Sequence, residues 1–320
     1  MELDDIIEKV EHPTNWVSSM VVIPEPGGEI RLCIDMRRAN VAIQRERLPI
    51  PTFDDIVPQL RQGKIISKLD IKDAFHQIEL APESSDVTTF ITPKGLYRFK
   101  RLMFGITCAP EMYQRIIQQV LQKCKETIYA SNKKEHEIRL NKVLDVLEQK
   151  ALTLNQKKCI FGKSSVTFMG HILSEKEIQL LESKIETIES FRQPQTKEQV
   201  RSFLGLVNYV GKFIPDLATT TEPLRRLIRQ DVHFKWTRET ERAFEKLKKQ
   251  LVTPRVLGYF DLEKKTQLIT DASPIALAGV SVQYDKNNKP SIISYGSKSL
   301  TKQEKRYSQT EKEALAIVWV

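Results

Sequence analysis

The chain has 320 residues, 40% hydrophobic and 28% charged, with 50 basic against 41 acidic side chains and a formal net charge of +9. This describes a globular protein of two or three domains with buried cores, and excludes a low-complexity or disordered chain. A pI of about 9.2 fits a polyanionic partner, nucleic acid first, and fits a plain basic protein equally well.

The opening MELDDIIEKVEHP is acidic where a signal peptide would be basic. No apolar run approaches the ~18 residues of a membrane span. An intracellular location, cytoplasmic or nuclear, with no membrane contact is therefore expected. Cys33, Cys108, Cys124 and Cys159 lie far apart with no CxxC pair. That argues against a disulfide framework or zinc knuckle and for reduced thiols.

In chain order, Val17–Ile23 and Ile30–Asp35 read as a hairpin around Pro24-Glu25-Pro26-Gly27-Gly28. A short helix follows Thr52. The run Ile65, Ile66, Leu69 ends on Asp70, with Asp73 and Phe75 close behind. An acid at a strand exit can hold Mg²⁺ through hard oxygen ligands, although such an acid more often caps a turn or helix. Alternating segments His76–Leu80, Val87–Thr92 and Leu96–Lys100 then suggest an α+β domain. Helices are expected over Glu111–Lys125 and from Asn132, where Glu135 completes a capping box. Leu152–Leu154 and Val166–Leu173 read as two strands.

From Glu182 the pattern is helical, with caps at Thr196 and Thr237 and apolar stripes Val200, Phe203, Leu204, Val207 and Phe244, Leu247, Leu251. Composition shifts at Thr253-Pro254 to strands Thr266–Thr270, Ala276–Gln283 and Ser291–Tyr295. Ser308 and Glu311 box a final helix. The chain stops in it at Val320, so the last domain reads as C-terminally truncated.

The ordered stretches IRLCIDMRRAN, LPIPTFDDI, SKLDIKDAFHQIEL, FKRLMFGITCAPEMYQRI, LTLNQKKCIFG, VTFMGHILS, VRSFLGLVNYVGKFIP, LITDAS and YSQTEKEALAIVW resemble the pol polyprotein of gypsy-type LTR retrotransposons. The resemblance implies a right-hand polymerase with fingers and palm over 1–175. It implies a helical thumb and connection over 176–252, and a truncated RNase H-like α/β domain over 253–320, all part of a longer polyprotein. It further implies RNA-directed DNA polymerase and RNase H activities, Mg²⁺, an RNA/DNA template–primer and dNTPs.

Position by position, Asp70 matches the first catalytic and metal-binding carboxylate of the polymerase. Asp73 and Ala74 match the turn that holds the triphosphate, Phe75 the aromatic that crowds a ribose 2′-OH, and Arg31 the finger arginine. Gly105 lies in the loop under the template base, and Lys157 or Lys158 falls near the leaving pyrophosphate. Phe168, Met169, Gly170 and His171 match the primer grip. Asp271 and Glu313 match the first two RNase H carboxylates and metal ligands. Core roles stay open for Phe75 and Phe168, and a solvated role for Lys157.

The departures carry the functional expectation. Cys124-Lys125-Glu126-Thr127 runs directly into Ile128-Tyr129-Ala130-Ser131, which resembles the return strand, so the family's Asp-Asp hairpin is missing. One aspartate does not clamp two metal ions, and a gap in the palm sheet is expected. Glu25 stands where relatives carry lysines, and Glu177 where they carry glycine. The expected function is a catalytically defective copy; the alternative is a non-catalytic nucleic-acid-binding remnant or host-recruited protein. A spurious intron in the gene would also explain the missing hairpin.

Overall fold

The computed structural model describes residues 1–24, 30–45, 47–61, 63–122, 124, 128–252 and 256–319. The chain forms two compact units: Met1–Thr52 with Ser67–Gly162, and Phe53–Ile66 with Lys163–Val320.

In chain order the elements up to residue 163 are β1 (Ile7–Lys9), β2 (Met20–Pro24), β3 (Ile30–Ile34), α1 (Arg37–Ala42), α2 (Phe53–Ile56) and β4 (Ile65–Lys68). They continue with α3 (Pro82–Ser85), β5 (Phe90–Thr92), β6 (Gly95–Phe99), α4 (Ala109–Leu121), β7 (Tyr129–Ala130), α5 (Lys133–Gln149) and β8 (Ile160–Lys163). Of these, α2 belongs to the second unit, and the division passes through β4.

In the first unit β2 and β3 form the expected hairpin, Met20 opposite Ile34. A sheet in the order β1-β6-β5 turns Phe90 and Phe99 inward, where they join Ile34, Met36, Leu102, Met103 and Cys108 in one core. Burying such side chains contributes about 1.5–3 kcal/mol each, which holds the connecting loops in place. The segment His76–Leu80, read as extended, instead begins inside a 3₁₀ turn, Ala74–Gln77.

The sheet that carries Asp70 has the order β7-β4-β8. Ser67 N donates to Ile128 O at 2.9 Å, so the return strand lies directly beside β4. With a neighbour on each side, β4 shows no gap among the described residues. Ser67 Oγ, buried, pairs with His136 Nε2 at 3.0 Å and accepts from Gly162 N at 2.9 Å. The box at Asn132 forms as expected, with Glu135 N donating to Asn132 Oδ1 at 3.0 Å.

The later elements are β9 (Ser165–Phe168), β10 (His171–Ser174), β11 (Glu177–Leu180), α6 (Glu182–Glu189), α7 (Lys197–Tyr209), α8 (Leu217–Leu227), α9 (Arg238–Val252) and β12 (Val256–Gly258). Then come β13 (Thr266–Ala272), β14 (Ala276–Tyr284), β15 (Pro290–Ser299) and α10 (Gln309–Trp319). One antiparallel sheet runs β12-β11-β10-β9 and another β13-β14-β15. Val166–Leu173, read as one strand, is two, because the chain reverses at Met169-Gly170. Glu177 opens β11 opposite Gly258, a distant pairing that no local pattern announces. The boundary at Thr253-Pro254 and the terminal Val320 lie outside the described residues.

All four apolar positions of the α7 stripe are buried, as are Phe244, Leu247 and Leu251 of α9. Ser308 N and Oγ both donate to Glu311 Oε2, at 2.7 and 2.8 Å, and so start α10 where the capping box places it. Among the described residues no helix is long and apolar enough to cross a membrane.

Candidate active site

Asp70 is half-buried at the exit of β4, and the turn around Asn155 is fastened to its backbone. Asn155 N donates to Asp70 O at 2.8 Å, Asp70 N donates to Cys159 Sγ at 3.3 Å, and Ile71 bridges Leu154. That bridge is all that forms of the expected strand Leu152–Leu154. Lys157 and Lys158 are exposed on this turn, so the structure brings the candidate lysines to the backbone of the candidate carboxylate.

Asp73 has φ 42° and heads the 3₁₀ turn Ala74–Gln77, with His76 N donating to Asp73 O at 2.8 Å. A non-glycine residue there costs about 1–2 kcal/mol, so neighbouring contacts have to hold it. Gln77 does this from below: its Nε2 donates to Thr153 O at 3.0 Å and also to Lys72 O, while its Oε1 accepts from Thr153 N at 2.8 Å.

The ring of Phe75 lies 4.8 Å from that of Phe104 and 5.6 Å, edge-on, from that of Tyr113. Phe104 itself is more than half exposed. Gly105 has φ +99°, and a Cβ there would stand 3.3 Å from Met36 Cγ, which favours glycine twice over. Asn40 clamps this loop at both ends, donating to Gly105 O at 2.8 Å and accepting from Thr107 N at 2.9 Å. Burial, aided by the negative charge of Asp70, pushes the Tyr113 hydroxyl up to about 12. Arg31 stands opposite Ile23 in the hairpin, while Glu25 and its neighbours through residue 29 lie outside the described residues.

In the second unit, Met169 and Gly170 have φ 43° and 68° between the paired residues Phe168 and His171. Positive φ at both central residues is what a two-residue type I′ hairpin requires. His171 is buried against Phe53, Tyr209 and Phe213, with ring centroids 4.2, 5.8 and 5.7 Å away. Its Nδ1 donates to Met169 O at 2.6 Å. Lys212 Nζ sits 3.7 Å from the Phe53 centroid and 3.2 Å from Asp54.

Asp271, near the end of β13, and Glu313, on α10, are both exposed. Gln309 ties their elements together, donating to Ala272 O at 2.7 Å and to Glu313 Oε1 at 3.3 Å.

Residues 23–173 match the family model for reverse transcriptase (RNA-dependent DNA polymerase), and residues 236–320 that for an RNase H-like domain found in reverse transcriptase. The Tf2-3 and Tf2-7 transposon polyproteins of Schizosaccharomyces pombe are each 32% identical over 309 residues, covering 93% of this chain. The chain is similar to these gypsy-type LTR retrotransposon polyproteins and carries reverse transcriptase and RNase H-like domain matches. It spans 23% of the length of these curated relatives. The fold is similar to that of the foamy viral protease-reverse transcriptase. One such structure, in complex with dsDNA, has a TM-score of 0.87 and 22% identity over 99% of this chain and 57% of the other. Another, in complex with an RNA/DNA hybrid, has a TM-score of 0.82 and 22% identity over 98% and 43%.

Likeness to this pol family implies Mg²⁺, and the donor set tests that implication. Among the described residues no group of three or more His, Cys, Asp or Glu side chains is placed to hold a metal ion. Glu126 is the one acid between α4 and β7, and it lies outside the described residues. A two-metal clamp needs several converging carboxylates, so the described donors do not fit one.

Asn40, Gln77, Tyr113 and Tyr209 escaped the sequence reading of this pol segment. All lie inside the motifs quoted, yet Asn40, Gln77 and Tyr209 fasten segments distant in the chain and Tyr113 packs against Phe75, which no spacing signals.

Burial lowers the pKa of His76, His136 and His171, with the Lys212 charge adding to the effect at His171. Each therefore takes up a proton less readily in the fold than in the unfolded chain, where it titrates near pH 6.5. Stability from these groups is thus complete above about pH 6.5 and is lost as the pH falls toward the lowered folded values. Thermal melts should show a lower midpoint at pH 5.5 than at pH 7.5. Equal midpoints would refute this.

Proposed function

We propose that this chain is a reverse transcriptase and RNase H segment that keeps surfaces for template–primer and nucleotide but lacks polymerase catalysis. On this reading 1–175 act as fingers and palm, 176–252 as thumb and connection, and 253–320 as the RNase H-like part. The observation that carries it is that no Asp-Asp pair occurs in the sequence between α4 and β7 and that, among the described residues, no group of acids is placed with Asp70 to hold a metal ion. The exit of β4, the turn bearing Lys157 and Lys158 and the packed ring of Phe75 support the retained nucleotide surface.

In this arrangement Phe75, backed by Phe104 and Tyr113, would crowd a ribose 2′-OH. The left-handed turn at Asp73 would present backbone N–H groups to a triphosphate, and Lys157 or Lys158 would face the departing pyrophosphate. Asp271 and Glu313 would supply the first two RNase H carboxylates. Binding of an RNA/DNA or DNA duplex is supported by the net charge of +9 and by the complexes in which the similar folds were solved.

The test is primer extension on RNA and DNA templates with dNTPs and Mg²⁺, run beside anisotropy binding of the same template–primer. The expected result is no extension, with binding that weakens steeply as salt rises. Mg²⁺-dependent dNTP incorporation would overturn the loss of catalysis, and absence of duplex binding at low salt would overturn the retained surface.

A further inference from the structure

We propose that Tyr209 is a positioning residue whose hydroxyl, together with His171, fixes the Met169-Gly170 turn against which a primer terminus is set. The inference rests on the reading of Phe168–His171 as the primer grip and assigns the group that holds it.

Four observations converge on this turn. The hydroxyl of Tyr209, the last residue of α7, donates to Met169 O. His171 Nδ1 donates to the same oxygen at 2.6 Å; facing a carbonyl, Nδ1 has to carry the ring proton. The next carbonyl, Gly170 O, accepts from Leu181 N at 3.1 Å, so both carbonyls of the turn are occupied. A Cβ at Gly170 would stand 3.2 Å from Lys184 Cε and 3.4 Å from Tyr209 Oη, so the tyrosine closes over the turn.

These contacts answer a conformational need. Met169 is a non-glycine residue in the left-handed region, and its side chain is half exposed. Without tethers its backbone would relax, as strained conformations persist only where surroundings over-determine them. Two donors on its carbonyl supply that determination. Tyr209 is the more exposed donor, 48% accessible against 2% for His171. It can therefore be altered at one oxygen atom with the aromatic packing left in place.

The experiment uses the full chain and its Tyr209→Phe variant with an RNA/DNA template–primer carrying 2-aminopurine as the 3′-terminal primer base. Duplex affinity is expected to stay within about twofold, while the change in 2-aminopurine fluorescence on binding is mostly lost. Amide exchange at Leu181 in the free chain is expected to rise by about tenfold or more. A fluorescence change that survives, or one that falls only in proportion to affinity, overturns the inference. If the unmutated chain binds no duplex, the functional reading falls separately, and exchange at Leu181 decides: unchanged exchange overturns the tether and raised exchange sustains it.

Discussion

Inserting an aromatic-Met-Asp-Asp strand hairpin between Cys124 and Ile128 is expected to raise Mg²⁺-dependent primer extension by about a thousandfold or more, since several kcal/mol of transition-state stabilisation is at stake. The reasoning starts from what surrounds the insertion. β7 already pairs beside β4, and Asp70 leaves β4 next to the turn bearing Lys157 and Lys158. The ring of Phe75, the proposed gate, is packed by two aromatics. Among the described residues no set of converging carboxylates stands at the proposed polymerase centre, and the two added aspartates would supply one. Two controls isolate the effect. The same hairpin with both aspartates changed to asparagine, and the intact hairpin combined with Asp70→Asn, should each return extension to background. If extension stays at background with all three carboxylates present, the missing pair is not what disables the centre, and the substitution at Glu25 becomes the next suspect.

What could be read from the chain alone follows the range of the forces involved. The boxes at Asn132, Thr196 and Ser308 were legible because a cap is settled within one helical turn. The buried stripes of α7 and α9 were legible because helical periodicity is local. The reversal at Met169-Gly170 was not, since methionine is a rare choice for a left-handed turn residue and the run around it is apolar on both sides. Pairing of β11 with β12 joins segments separated by four helices, and β1 pairs with β6 with Ile7 opposite Phe99. Such contacts are set by tertiary packing, and a short apolar run carries no address for its partner.

The candidate site shows the same division. Asp70, Asp73, Phe75 and the Phe168–His171 stretch could be placed by resemblance because their motifs are contiguous. The side chains that hold them were invisible, since Asn40 reaches Gly105 and Thr107, Gln77 reaches Thr153, and Tyr209 reaches Met169. Their contribution lies in hydrogen bonds that cross between elements, and such bonds leave no periodic trace. The expected gap in the palm sheet failed for a related reason. A strand lost from the sequence does not have to leave its neighbour unpaired, and β7 and β8 flank β4.

Replacing Phe203 with alanine should lower the unfolding free energy of the second unit by about 3–5 kcal/mol, a large part of the ~5–15 kcal/mol that stabilises a typical domain. Phe203 is fully buried, its ring 5.3 Å from that of Phe191 and 4.7 Å from that of Phe244, and Trp236 meets Phe244 edge-on at 5.8 Å. Truncation removes the ring that joins Phe191 to this α9 cluster. The cavity it leaves is bordered by helices that cannot all collapse inward, so the loss combines transfer and cavity costs. Arg201→Ala on the same helix is the contrast. Its salt bridge to Glu198, 3.0 Å long, is on the exposed face, so a change of less than about 1 kcal/mol is expected. Urea unfolding followed by tryptophan fluorescence measures both variants, since Trp236 reports from within the cluster. A Phe203→Ala loss no larger than that of Arg201→Ala would mean that the aromatic stack does not hold the α7–α9 core together. With that core would go the seating of Tyr209 at the end of α7, so the stability of this unit and the placing of its hairpin turn should fail together.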